Sequence, residues 1–248
     1  MASQTCRPEK IVVVFTGKPV HITDMGIPLV TTSCNSADAR NSGAALCDSD
    51  YLAFLDDDDE WFPDKLDSQI RFAGSGASIV SSPYVMKSRE DIESYFTPSK
   101  EPMKDILGEN TVGCTSMPLV RREAFLSVGG FDPRMASNQE WDLWIRILQN
   151  GQASVADVSA GIKHFSEESI SENSWKREKG WVRILMKHLP DYLRNPHQME
   201  RALWFFYREM RTRKRVFGAC IGAMAYGSLH ISHLILDSIR RIDAGRSS

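Results

Sequence analysis

Over residues 1–170, short continuous apolar runs alternate with amphipathic stretches. Lys10–Phe15 (KIVVVF) is β-branched at its centre and is stopped by Thr16-Gly17, the pattern of a strand buried on both faces. Ile27–Thr32 reads as a second strand, which Pro28 confines to a sheet edge or a strand start. Small residues and helix formers predict a helix over Ala37–Leu46, and Tyr51–Leu55 (YLAFL) predicts another buried strand. Pro63 stands where a first helical turn begins, ahead of Asp64–Ala73 with Leu66, Ile70, Phe72 and Ala73 as its apolar residues. Ile79–Val85 reads as a strand. Residues 86–110, polar and without strong periodicity, read as a long excursion of the kind that forms a lid or a flexible loop. Met117–Val120 predicts a short strand, and Arg122–Val128 a helix ended by Gly129-Gly130. The clearest helix is Asn138–Gln149, where Trp141, Trp144, Ile145 and Leu148 fall at i, i+3, i+4 and i+7 before Gly151. Strand alternating with helix predicts an α/β domain over 1–170 with a largely parallel sheet.

From 171 to 248 the pattern is helical, an appendage to that domain. Trp181, Ile184 and Leu185 form one amphipathic face before Pro190. Arg201–Arg215 predicts a second helix with a Trp204-Phe205-Phe206-Tyr207 block and a basic end at Arg211, Arg213, Lys214 and Arg215. Val216–Leu236 runs for 21 residues without a formal charge, near the ~20 needed to span a bilayer. Gly218, Gly222, Gly227, Ser228, His230, Ser232 and His233 make it weakly hydrophobic, so a packed or interfacial helix is expected instead of a span. His230 and His233, at i and i+3, are too few for a metal site.

Composition narrows the class. Of the 248 residues 42% are hydrophobic and 25% charged, which excludes wholesale disorder, collagen and coiled coil. The net charge of −2 conceals a split: residues 1–170 carry 15 Lys/Arg against 25 Asp/Glu, and 171–248 carry 15 against 7, so the parts are −10 and +8. An acidic body with a basic tail suggests a site for cations or cation-bridged anions, followed by a segment attracted to polyanions. No nucleic-acid motif accompanies the basic tail, so nucleic acid is not expected as a partner. The five cysteines contain no CxxC pair, which argues against a disulfide framework or structural zinc and for a reducing compartment. No signal-peptide pattern opens the chain.

Two features could carry chemistry. Asp56-Asp57-Asp58-Asp59 follows the YLAFL strand directly, and in open α/β sheets ligands bind beyond the carboxyl ends of strands. Four adjacent carboxylates repel one another; a hard cation such as Mg²⁺ or Mn²⁺, completed by water and phosphate oxygens, relieves the repulsion. Glu140 lies in the first turn of the best-formed helix, whose N-terminus favours an ionised carboxylate suited to a general base, with Asp142 as the second candidate. A haloacid-dehalogenase-like phosphatase also places aspartate after a strand, but it requires Thr or Val four positions on, where Glu60 stands.

ARNSGAALCDSDYLAFLDDDDEWFPDKLDSQ (Ala39–Gln69) and VRREAFLSVGGFDPRMASNQEWDLWIRILQNG (Val120–Gly151) resemble the two sequence blocks of glycosyltransferase family 2, enzymes of the GT-A fold. The resemblance implies a metal-dependent, inverting transferase that uses a nucleotide-sugar donor and a glycan or lipid-linked acceptor, in cell-surface polysaccharide or glycan synthesis. It implies that Arg40, Asn41, Asp56, Asp57 and Asp58 contact the nucleotide-sugar, that Asp58, Asp59 and His164 hold Mg²⁺ or Mn²⁺, and that Glu140 is the base where the family usually has aspartate. Together with the tail, it implies a cytoplasmic protein, peripheral at the inner face of the membrane through its C-terminal helices. One departure stands. The family opens with a strand–helix unit before a strand ending in aspartates; here KIVVVF lies only about 28 residues before Arg40, and Phe15-Thr16 replace the aspartates. The alternative is therefore a non-catalytic GT-A-like binding protein that has lost part of its nucleotide pocket.

Overall fold

The computed structural model describes residues 3–16, 29–32, 35–74, 76–88, 93–165, 174–212 and 226. Val216–Leu236, apart from Tyr226, lies outside them, as do the basic cluster from Arg213 and the histidines of the tail. In chain order, β1 (Val13–Thr16) and β2 (Leu29–Thr32) form a two-stranded parallel sheet. The expectation of a strand buried on both faces fails for β1, since residues 11–15 are all half-buried. Next come α1 (Ser36–Ala45), β3 (Tyr51–Ala53), β4 (Glu60–Trp61) and α2 (Lys65–Ala73). Asn35 caps α1 by accepting from the amides of Ala37 and Asp38 at 3.0 and 3.1 Å, which satisfies donors that a helix start leaves orphaned.

The predicted strand Ile79–Val85 is two strands in different sheets, β5 (Ala77–Ser81) and β6 (Tyr84–Lys87), broken at Ser82-Pro83. Proline has no amide to continue a ladder, so the chain leaves one sheet there and enters another. Among its described residues, the expected excursion over 86–110 forms regular elements. β6 pairs antiparallel with β7 (Glu93–Phe96), Tyr84 stacks on Phe96 at 4.6 Å, and the short helix α3 (Pro102–Asp105) follows. Then come β8 (Leu119–Arg121), α4 (Arg122–Ser127), α5 (Gln139–Leu148), β9 (Gln152–Val155) and β10 (Gly161–His164). Gly129 and Gly130 end α4 with φ of +75° and +69°, and an added Cβ on Gly130 would lie 2.9 Å from the Phe125 ring.

The sheets run β3-β8-β5-β9 and β4-β10-β6-β7. Helices flank them in the expected α/β arrangement, but the sheets are mixed, not largely parallel. β5–β9 and β10–β6 are parallel, whereas β3–β8, β5–β8, β10–β4 and β6–β7 are antiparallel. Strand alternating with helix does not fix direction here, because β8 inserts antiparallel between β3 and β5.

Three C-terminal helices, α6 (Ser174–Lys187), α7 (Leu189–Arg194) and α8 (Pro196–Thr212), share the main core. Trp181, Ile184, Tyr192, Ala202, Phe206 and Met210 are buried in one cluster with Ile79, Val120, Phe131, Leu143 and Trp144. Trp141 of α5 meets Trp181 edge-on at 4.7 Å. This cover explains why α5 buries Leu143 and Ile147 in addition to its periodic face. α6 approaches so closely that a Cβ on Gly180 would lie 2.8 Å from the Ser137 carbonyl oxygen.

Candidate functional site

The chain leaves β3 through Phe54-Leu55 and turns at Asp56–Asp59, where the Asp59 amide donates to the Asp56 carbonyl at 3.2 Å. The four carboxylates then diverge. Asp56 accepts from Arg40 of α1 at 2.5 Å. Asp57 is exposed and Asp58 half-buried. Asp59 is buried, accepting from the Ser116 hydroxyl at 2.6 Å and from the His164 amide at 3.1 Å, with the Lys163 ammonium 3.8 Å away. Burial raises the Asp59 pKa against the opposing effects of Lys163 and Ser116. Ser116, fully buried, is the pivot of the turn. Its hydroxyl also accepts from the Asp56 amide at 3.1 Å, and its carbonyl accepts from the Trp61 indole at 2.6 Å.

Arg40 connects this turn to α5, since it also donates to Gln139 at 3.2 Å, next to Glu140. Lys163 connects the same groups electrostatically. Burial would lower its pKa, yet Cys114, Asp59, Asp56 and Glu140 together raise it, so a protonated ammonium sits among the acidic turn and the candidate base. The Glu140 carboxylate makes no hydrogen bond or ion pair among the described residues. It opens into a cleft of about 670 Å³ between α5 and the C-terminal helices, walled by Asn110, Asn138, Trp181 and Phe205 among others. Asn138, at the start of α5, has a left-handed backbone with φ of +56°.

The other sequence candidates lie as follows. Asn41 spends its amide on structure, donating to the Phe131 carbonyl at 2.8 Å and accepting from the Phe131 amide at 2.9 Å. His164 bonds through Nε2 to Glu60 at 3.0 Å. Asp142, the second candidate base, points away from the cleft. It is fully buried, with His188 at 3.0 Å, Lys187 at 2.8 Å and Arg146 at 2.8 Å. Burial alone would raise its pKa, but the His188 hydrogen bond and the Arg146 and Lys187 charges outweigh it and lower the value to about 2. A carboxylate enclosed by three cationic or hydrogen-bonding side chains fastens the appendage; it is not a free base. Sequence reading missed Ser116, Lys163 and Gln139, which carry no motif of their own, and only Lys163, beside His164, had a positional hint.

Hard oxygen donors at Asp56 and Asp58 fit Mg²⁺ or Mn²⁺, which need only one or two protein carboxylates when phosphate oxygens complete the shell. Among the described residues no group of three or more His, Cys, Asp or Glu is placed to hold a metal by itself. The two Asp59 oxygens already face Ser116, Lys163 and the His164 amide.

Known proteins fix the class. The mannosyltransferase PcManGT of Pyrobaculum calidifontis, solved with GDP-Man and Mn²⁺, superposes with a TM-score of 0.58 at 15% identity, over 96% of this chain and 73% of that one. That likeness establishes the GT-A glycosyltransferase fold. The model of glycosyl transferase family 2 matches residues 22–129, which supports a glycosyltransferase of this family. Similar proteins include the UDP-Glc:alpha-D-GlcNAc-diphosphoundecaprenol beta-1,3-glucosyltransferase WfgD of Escherichia coli, 25% identical over 72% of this chain and 70% of that protein. The amylovoran biosynthesis glycosyltransferase AmsB of Erwinia amylovora is 32% identical over 49% of this chain and 44% of its own length. The chain spans between 44% and 70% of the curated relatives it matches.

Proposed function

We propose that the protein transfers a sugar from a nucleotide-diphosphate donor to a hydroxyl of a glycan or lipid-linked acceptor, in the synthesis of a cell-surface polysaccharide. The observation that carries this reading is that Lys163 couples electrostatically to Asp56 and Asp59 of the acidic turn and to Glu140, a carboxylate that opens into a cleft. Relatives named for amylovoran synthesis and for transfer to a diphosphoundecaprenol-linked sugar support the polysaccharide context. Such an acceptor places the protein at the inner face of the cytoplasmic membrane; no described helix is long and apolar enough to cross one.

In this mechanism Glu140 takes the proton of the acceptor hydroxyl, whose oxygen attacks the anomeric carbon in line as the bond to the diphosphate breaks, inverting the centre. The bonding pair leaves with the diphosphate. Lys163, kept protonated by its neighbours, faces the charge that develops there. Arg40 holds Asp56 in place, and Ser116 and Asp59 fix the turn that presents Asp56 and Asp58. Asp58 with Asp56 would hold Mg²⁺ or Mn²⁺, which supplies charge neutralisation to the diphosphate.

The test is a titration of wild type and Asp58→Ala with UDP-, GDP- and dTDP-sugars, with and without Mn²⁺. Donor binding that needs both Mn²⁺ and Asp58 is expected. A protein that binds none of these donors under any condition is not a transferase of this kind.

A further inference from the structure

The outer face of the C-terminal helices carries an apolar strip that the cleft does not use. Along α6, Trp175, Val182 and Met186 are exposed, and Leu189, Pro190 and Leu193 continue the strip along α7. Met186 is 72% and Leu193 67% exposed, so neither belongs to the core. Positions 175, 179, 182 and 186 share one helix face. Lys179 completes it, with its ammonium 5.2 Å from the Trp175 ring. The inward face of the same helix, through Trp181 and Ile184, packs on the domain.

The charges on the two helices are sorted. Lys176, Lys179 and Arg194 are exposed beside the strip, and all are basic. Of the acidic residues on these helices, Glu178 is buried, and Asp191 is half-buried, accepting from Gln149 at 2.8 Å and from Arg194 at 3.3 Å. An apolar row of Trp, Val, Met and Leu flanked by Lys and Arg, with no exposed acid among the residues of α6 and α7, has the chemistry of a helix that lies in an anionic lipid interface. The core of a protein–protein contact, by contrast, is depleted in lysine.

We propose that the α6–α7 strip docks the protein on an anionic lipid bilayer, with the apolar side chains entering the headgroup boundary and the cations meeting lipid phosphates. The proposal rests on the transferase reading for its purpose, delivery of a lipid-borne acceptor to the cleft on the opposite side of α6, and on the strip alone for its mechanism.

Flotation of the full chain with phosphatidylglycerol–phosphatidylcholine vesicles, against pure phosphatidylcholine, tests it. Binding to the anionic vesicles is expected, weakened by salt, and lost in Val182→Asp/Met186→Asp/Leu193→Asp. Lys176→Ala and Lys179→Ala should each weaken it by about fivefold. The carboxylates enter at exposed positions, so the variant's circular dichroism and donor binding should match wild type. Three results overturn the proposal: no preference for anionic vesicles, undiminished vesicle binding by the triple variant, or a lipid-free dimer that the triple variant splits, which makes the strip an interface between copies. Vesicle binding by a protein that binds no nucleotide-sugar leaves the docking surface standing and removes the transferase reading instead.

Discussion

Two clusters of carboxylates in the molecule are built in opposite ways. Under the appendage, Asp132 and Asp142 are enclosed and answered by protein cations: Arg134 and Lys187 bind Asp132, and Arg146, Lys187 and His188 bind Asp142. Both pKa values are lowered, Asp132 chiefly by the Arg134 hydrogen bond. At the end of β3 the accounts do not close. One aspartate is answered by Arg40 and one by Ser116 with Lys163, while Asp57 is left facing solvent. The first cluster is neutralised within the chain, whereas the second keeps acidic charge at the surface, which makes it the candidate ligand site.

That contrast is open to attack from both sides. The largest effect is expected at the cleft: Glu140→Gln should lower transfer by about 10²–10⁴-fold with donor binding and melting temperature unchanged, and kcat near wild type would remove Glu140 from the base role. In the closed cluster, Asp142→Ala leaves Arg146, Lys187 and His188 facing a hole. It should cost about 3–5 kcal/mol in denaturant titration, where a loss below 1 kcal/mol would show the cluster to be dispensable.

Acid probes the same cluster without mutation. The folded pKa of Asp142, about 2, lies below its ordinary 3.8, so its contribution is present above pH 4 and is lost as pH falls through 2. The loss should be about 2 kcal/mol for Asp142 and should vanish in Asp142→Asn. Ser116→Ala removes a hydrogen bond to a carboxylate and should cost about 1.5 kcal/mol. It should also raise the donor KM, because the turn that presents Asp58 loosens; an unchanged KM would confine Ser116 to packing. Smallest of all, Asp57→Ala should change stability by less than about 0.5 kcal/mol, and a larger shift would show that this exposed carboxylate is structural after all.

Much of the candidate site could be read from the chain because its chemistry is local. Four aspartates after an apolar run announce a strand end with surplus charge, and Glu140 stands in the first turn of a helix whose tryptophans fix its orientation. What escaped was everything supplied from a distance. Ser116 is 57 residues from the carboxylate it bonds, and Lys163 lies farther still along the chain from Asp59. Neither residue type is unusual where it stands. Asp142 misled for the complementary reason, since its sequence neighbourhood is indistinguishable from that of a free acid until α6 arrives with Lys187 and His188.

The sequence by itself determined the elements that periodicity, caps and stops encode: α1, α2, α4 and α5, the strand before the acidic turn, and the helical character of 174–212. It also determined where the acidic charge is densest. The tertiary structure alone decided strand direction, the break that sends β5 and β6 into different sheets, and which carboxylates are spent on the fold. The physical reason is that direction, pairing and neutralisation are relations between segments far apart in the chain, and residue patterns report only what each segment prefers alone.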